Sequence, residues 1–127
     1  YTFAYCYDLK SITIPDSVTK IGNFAFCGCD KLTSIIIPEG LQTIGEYAFA
    51  SCGIKVLNLP ETIISIGSSA FLSCLDLRII NIPNNITAQR NLFTTYLLFT
   101  KQYYEICDFV IIATQISLAQ KRRVRFV

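Results

Sequence analysis

The sequence contains no histidine, no methionine and no tryptophan, and charged residues make up only 16% of it. Histidine is the commonest side chain for proton transfer near neutral pH and a common metal ligand, so its absence argues against an enzyme. Hydrophobic residues make up 52% of the 127 positions. This excess excludes a disordered chain and indicates one domain with a large interior.

Long apolar runs and strong net charge are also missing. The longest strongly apolar stretch without a charge near the end of the chain, residues 109–120, is 12 residues long, whereas a membrane-spanning helix needs about 18 to 20. We therefore predict no transmembrane span. The formal net charge is +2, but four basic residues lie within 121–125, so residues 1–120 carry 7 basic and 9 acidic groups. A slightly acidic body argues against nucleic acid as a partner.

What the sequence does have is an internal repeat. Its four prolines, at positions 15, 38, 60 and 83, are spaced 23, 22 and 23 residues apart. Ile-Gly pairs, Ala-Phe pairs and a cysteine follow each of the first three prolines at matching offsets. The cysteines of this register are Cys6, Cys29, Cys52 and Cys74. One unit reads L-x-x-I-x-I-P-x-x-(V/L/I)-x-x-I-G-x-x-A-F-x-x-C-x-x, with one deletion near Gly53, and such a period is typical of stacked repeats.

The repeat predicts an α/β repeat solenoid. Apolar and polar residues alternate before each proline, as in residues 10–14, which predicts a short strand with one buried face. Equivalent strands of successive units should stack in parallel, one per turn, as a short β-sheet on the concave face. The return segments carry apolar residues at helical spacing, but an interposed glycine such as Gly22 favours irregular or short helical structure. Four phenylalanines should form one stacked row in the interior: Phe3, Phe26, Phe49 and Phe71.

The I-P-x-x-V-x-x-I-G-x-x-A-F-x-x-C-x-x-L pattern resembles the BspA-like leucine-rich repeat family over about residues 1–93. The resemblance implies a leucine-rich repeat solenoid of the kind found in surface antigens and adhesins, which bind host or matrix proteins. It carries no catalytic motif and no cofactor. It also implies that the protein is located at the cell surface or is secreted, and the alternative is a cytoplasmic protein.

The pattern fades after Pro83 and is lost beyond Phe99. We therefore predict a solenoid of about four turns over residues 1–93, followed by a degenerate cap or poorly ordered tail with a basic end over residues 94–127. The chain also begins partway through a unit, which favours a fragment of a longer repeat protein.

The cysteine register could suggest a metal site, but without histidine four thiolates would have to converge on one point. A ladder with one cysteine per turn spreads them along a line instead, so we predict buried, reduced thiols and no metal. Disulfides between neighbouring turns are the alternative. Cys27 and Cys107 lie outside the register, and Cys27 should be the more exposed because it follows the inward-pointing Phe26.

Two rows of charge also recur with the repeat. Asp16, Glu39 and Glu61 each follow a proline, with Asn84 completing the row, whereas Lys10, Lys55 and Arg78 each precede one by five residues. We interpret the first as polar turn residues, because a calcium site needs six to eight oxygen ligands. We interpret the second row as solvent-exposed residues at one edge of the strands. Asn85 begins a glycosylation acceptor sequence, which matters only if the protein is secreted.

The outward-facing residues of the strands are the predicted protein-binding site. In a strand with one buried face, alternate side chains face solvent on the other side. Here these are Ser11, Thr13, Ser34, Ile36, Val56, Asn58, Ile79 and Asn81. Exposed apolar residues among small polar ones favour a protein partner, which leads to the hypothesis of a protein-protein interaction module. The alternatives are a structural spacer in a longer repeat protein and an intracellular interaction scaffold.

Overall fold

The computed structural model describes residues 1–81, and of residues 79–81 it describes the backbone only. It contains seven short strands in two series. The three-residue strands precede the prolines, and the two-residue strands end at the isoleucine of each Ile-Gly pair. The first series is β1 (Ser11–Thr13), β3 (Ser34–Ile36), β5 (Val56–Asn58) and β7 (Ile79–Asn81); the second is β2 (Lys20–Ile21), β4 (Thr43–Ile44) and β6 (Ser65–Ile66).

The predicted short parallel strands are confirmed. β1 pairs with β3 and β5 pairs with β7, both in parallel and in the register of the repeat. The second series, which the sequence analysis did not predict, forms a three-stranded parallel sheet in the order β2, β4, β6. Every pairing joins equivalent positions of consecutive units, so consecutive turns stack on one another.

The prediction that the strands before the prolines form one continuous sheet is wrong. Within residues 1–81, no ladder of backbone hydrogen bonds joins β3 to β5, and we call this boundary the seam. The deletion explains it, because Cys52 and Pro60 are eight residues apart whereas Cys29 and Pro38 are nine apart. The shortened connection lies tightly against the previous turn, with the Gly53 N–H donating to the Cys29 carbonyl at 3.4 Å.

The return segments are turns, and the structure has no helix among residues 1–81. The option of short helical returns is therefore not realised in this part of the chain. Each full unit places two residues in the left-handed region, four positions apart. The φ values are 57° and 76° at Phe24 and Gly28, 52° and 56° at Tyr47 and Ser51, and 54° and 57° at Ser69 and Ser73. A left-handed residue every few positions interrupts a right-handed helix, whatever the apolar spacing.

The predicted phenylalanine row is confirmed and forms the centre of the core. The rings of Phe3, Phe26, Phe49 and Phe71 lie with centroids 5.3, 5.3 and 5.7 Å apart and planes within 4° of parallel. Phe49 is fully buried, whereas Phe3, at the end of the row, is 37% exposed. Leucine and isoleucine rows, including Leu32, Leu41 and Ile63, pack beside it. Through these rows, the core side chains of each turn pack against those of the next turn.

A second aromatic row, which the sequence analysis missed, runs along the return side. The rings of Tyr1, Phe24 and Tyr47 stack with centroids 4.9 and 5.0 Å apart. The row ends because the equivalent position of the next unit is Ser69. Phe24 and Tyr47 are half-buried, so this row covers the edge of the core.

The domain boundary predicted at residue 93 lies outside the described residues and stays a prediction. The same holds for the cap or tail over residues 94–127. Asn84, the acceptor sequence at Asn85 and Cys107 also lie beyond residue 81.

Candidate protein-binding face

The strands position the predicted site by simple alternation. The side chains of Ile12 and Ile35 are half-buried and that of Leu57 is buried, so these residues point toward the core. Their neighbours in the same strands are exposed: Ser11, Thr13, Ser34, Ile36, Val56 and Asn58. The backbone of β7 places Ile79 and Asn81 in register with Val56 and Asn58. We call these eight residues the strand face.

The strand face exposes apolar side chains at its middle. Ile36 is 61% exposed and Val56 is 46% exposed. They belong to β3 and β5 and therefore lie on opposite sides of the seam. The face consists of two strand pairs rather than one four-stranded sheet, and apolar groups flank the boundary. Small polar side chains surround them, a composition that suits contact with another protein.

The three buried cysteines of the repeat register play a structural part. The thiols of Cys29, Cys52 and Cys74 donate hydrogen bonds to the carbonyl oxygens of Phe3, Phe26 and Phe49, at 3.1, 3.0 and 3.0 Å. Each bond reaches back to the preceding turn. Each cysteine therefore fastens its own turn to the core phenylalanine of the one before it.

The five cysteines within residues 1–81 are all free thiols. The predicted burial is confirmed at Cys29, Cys52 and Cys74 but is wrong for Cys6, which is exposed. Cys27 is partly exposed, as its position next to Phe26 predicts.

Burial also controls the chemistry of these thiols. It raises the pKa of Cys74 to about 12 and raises the pKa of Cys29 and of Cys52 as well. Since the thiolate is the nucleophilic form, these three side chains are unreactive near neutral pH. The arrangement gives no support to a catalytic cysteine at these positions.

We expect iodoacetamide at pH 8 to modify Cys6 and Cys27 of the folded chain. Alkylation of Cys29, Cys52 and Cys74 should be at least 100-fold slower, roughly the effect of a raised thiol pKa combined with burial. Peptide mass mapping over time measures the five rates separately. In denaturant all five should react at similar rates, which serves as the control. Modification of Cys52 or Cys74 as fast as Cys6 in the folded chain would contradict this placement.

The two charged rows lie at the edges of the strand face. Lys10, Lys55 and Arg78 are exposed at the beginnings of the strands, and Asp16, Glu39 and Glu61 are exposed beyond their ends. Within residues 1–81, no three cysteine or carboxylate side chains come close enough to hold a metal ion. The same part of the chain contains no helix of the length and apolarity that crossing a bilayer requires.

Short parallel strands that recur once per unit of 22 or 23 residues, with isoleucine or leucine on the buried side, define a leucine-rich repeat protein. A family model described as BspA type leucine rich repeat region matches residues 1–108 in six copies. The chain belongs to this family. Membership implies a protein-interaction module, a class that is generally not enzymatic.

Solved structures of leucine-rich repeat proteins are similar to the chain. A leucine-rich repeat protein from Bacteroides ovatus is 41% identical over 65% of the chain, with a TM-score of 0.64. A leucine-rich cell surface protein from Faecalibacterium prausnitzii is 30% identical over 63%, with a TM-score of 0.62. The pneumococcal vaccine antigen PcpA is 33% identical over 68%, with a TM-score of 0.64. The chain spans only 21%, 21% and 22% of these proteins. No curated protein matches it.

Proposed function

We propose that the chain is a protein-binding module of a cell-surface protein and that it binds a host or matrix protein through the strand face. The observation that carries the proposal is the exposure of Ile36 and Val56 amid small polar side chains. Exposed apolar groups of this kind, rimmed by polar residues, are typical of contact surfaces. The stacked turns would form a solenoid with the strand face on its concave side.

The comparisons support the proposed location. One similar protein is described as a cell surface protein and another as a vaccine antigen. Since each is several times longer than the chain, the partner of the whole protein can contact more repeats than are present here. Four strands offer a small footprint, so the chain alone should bind weakly.

Aspartate substitutions test the strand face. We expect Ile36→Asp and Val56→Asp each to weaken binding to an immobilised matrix protein at least tenfold, about 1.4 kcal/mol, because each places a charge in an apolar contact. Surface plasmon resonance against a panel of matrix and serum proteins measures the affinities. Ile64→Asp is the matched control, since Ile64 is 57% exposed but lies outside the strand face.

Circular dichroism should show all three variants folded. Retained binding in both Ile36→Asp and Val56→Asp would exclude the strand face as the contact surface. Absence of binding to every member of the panel would instead favour the alternative of a structural spacer. An intracellular scaffold would bind a partner that is not a matrix or serum protein.

A further inference from the structure

The strand face is neutral, but its two edges carry opposite charge. The pattern recurs over segments 10–16, 33–39 and 55–61 and begins again at Arg78. Each basic side chain lies one residue before a strand. Each acidic side chain lies directly after a proline. The basic edge consists of Lys10, Lys55 and Arg78; the acidic edge consists of Asp16, Glu39 and Glu61. Between the two edges the strands carry no charge at all.

Hydrogen bonds between turns bring parts of each edge side by side. At the basic edge, Thr33 donates from its N–H to the Lys10 carbonyl at 3.1 Å, and Arg78 donates to the Lys55 carbonyl at 2.9 Å. At the acidic edge, the Thr62 hydroxyl donates to the Glu39 carbonyl at 2.6 Å. At the basic edge, consecutive turns therefore lie side by side on each side of the seam, and at the acidic edge Glu39 lies beside the following turn.

The two edges lie at opposite ends of the strands. The basic and the acidic position of a unit are six positions apart, which is at most about 20 Å of chain, and the strand occupies three of the residues between them. Charges more than about 8 to 10 Å apart are largely screened from each other at physiological ionic strength. A partner that lies on the strand face would therefore interact with a positive potential at one edge and with a negative potential at the other.

Other charges near the basic edge do not remove this polarity. Lys31 and Asp8 form an exposed ion pair at 2.7 Å and cancel each other. In the sequence, Asp30 and Asp76 precede their strands by four and three residues, whereas Arg78 directly precedes β7. Lys20 and Glu46 line a separate groove of about 260 Å³ beside the sheet of β2, β4 and β6, so they provide control positions away from the strand face.

We propose that the strand face selects a protein segment of matching polarity: acidic side chains where it meets Lys10, Lys55 and Arg78, neutral residues across the strands, and basic side chains where it meets Asp16, Glu39 and Glu61. The inference rests on the proposed function and adds the chemistry and orientation of the partner. Electrostatic complementarity of this kind fixes the register of a partner more than it adds affinity. The acidic edge would repel a polyanion, so nucleic acid does not fit this surface.

Two capped nine-residue peptides provide the test. The dipolar peptide has two glutamates, five alternating serine and valine residues and two lysines. The mixed peptide has the same composition with one glutamate and one lysine at each end. Chemical shift changes in the ¹⁵N-labelled full chain measure both affinities, including weak ones, and show where the peptides bind. We expect the dipolar peptide to bind at the strand face at least threefold more tightly than the mixed one.

Matched charge reversals complete the experiment. Lys55→Glu and Glu39→Lys should each reduce the preference at least twofold, because each reversal lowers the net charge of its edge from three to one. Lys20→Glu and Glu46→Lys change the net charge equally at the separate groove and should keep the preference.

Equal binding of the two peptides to the unmodified chain would overturn the proposal. Loss of preference in the groove variants as well, or no binding of either peptide, would also overturn it. The proposed function is judged separately by Ile36→Asp and matrix-protein binding. If that variant loses the matrix protein while the peptides are not distinguished, the strand face binds protein but does not select by polarity.

Discussion

Phe49→Ala is expected to lower the free energy of unfolding by about 3 to 5 kcal/mol, the range measured when a large aromatic side chain is removed from a core. Phe49 is fully buried and stacks on Phe26 on one side and Phe71 on the other. Removing its ring opens a cavity in the middle of the row and breaks two ring contacts at once. Denaturant unfolding followed by circular dichroism measures the loss.

Phe3→Ala is the matched control for this prediction. Phe3 occupies the equivalent position, but it is 37% exposed and stacks on one ring only, that of Phe26. Its loss should therefore be well under half of that at Phe49. Equal losses at the two positions would contradict the placement of Phe3 at the exposed end of the row and of Phe49 at its buried middle.

Gly45→Ala is expected to destabilise the chain, whereas Gly22→Ala is not, although the two glycines occupy equivalent positions. A Cβ on Gly45 would lie 2.5 Å from the Asn23 nitrogen and 2.6 Å from the Gly22 carbonyl carbon. Such overpacking costs about 1 to 3 kcal/mol. A Cβ on Gly22 would have no neighbour within 4 Å, so its substitution should be neutral or stabilising by about 0.4 to 1 kcal/mol through the unfolded chain.

Thermal or denaturant unfolding of both variants measures this difference. The comparison isolates the stacking contact, because the residue type and the place in the unit are the same. Gly67 repeats the geometry one turn later, with Gly45 and Glu46 beneath it, and Gly67→Ala should behave like Gly45→Ala. A stable Gly45→Ala chain would show that consecutive turns are not in close contact at the glycine row.

Periodicity predicted the features that depend only on which residues recur. The row of Phe26, Phe49 and Phe71 and the alternation of Ile35 and Ile36 follow directly from the repeat. Each position returns to the same place one turn later, so a column in the alignment becomes a column in space. The strand face was predicted residue by residue for the same reason, and its exposure is confirmed where side chains are described.

Features that depend on backbone detail were not predicted. Left-handed residues such as Phe24 and Tyr47 carry no sequence signal, because glycine marks that conformation only at Gly28. The deletion near Gly53 was visible, but its effect on pairing across the seam required the structure. The row of Tyr1, Phe24 and Tyr47 follows the repeat spacing, but Ser69 interrupts it after three rings, so its sequence signal is weaker than that of the phenylalanine row.

The reason for the Ile-Gly pairs also emerged only from the structure. The sequence alone predicts only that Gly22 prevents a long helix in its return segment. Gly45 and Gly67 show a different requirement, which is that the backbone of one turn lies directly against the next. This requirement arises from contact between turns, and the sequence of a single unit does not show that contact.

Site-specific photo-crosslinking tests the central claim, that the strand face is where this chain contacts a protein. A photoreactive phenylalanine analogue is placed at position 36, or at position 64 as an equally exposed control, and each chain is irradiated with a matrix protein that it binds. The account predicts a covalent product from position 36 and none from position 64. Crosslinking from position 64 alone would contradict it.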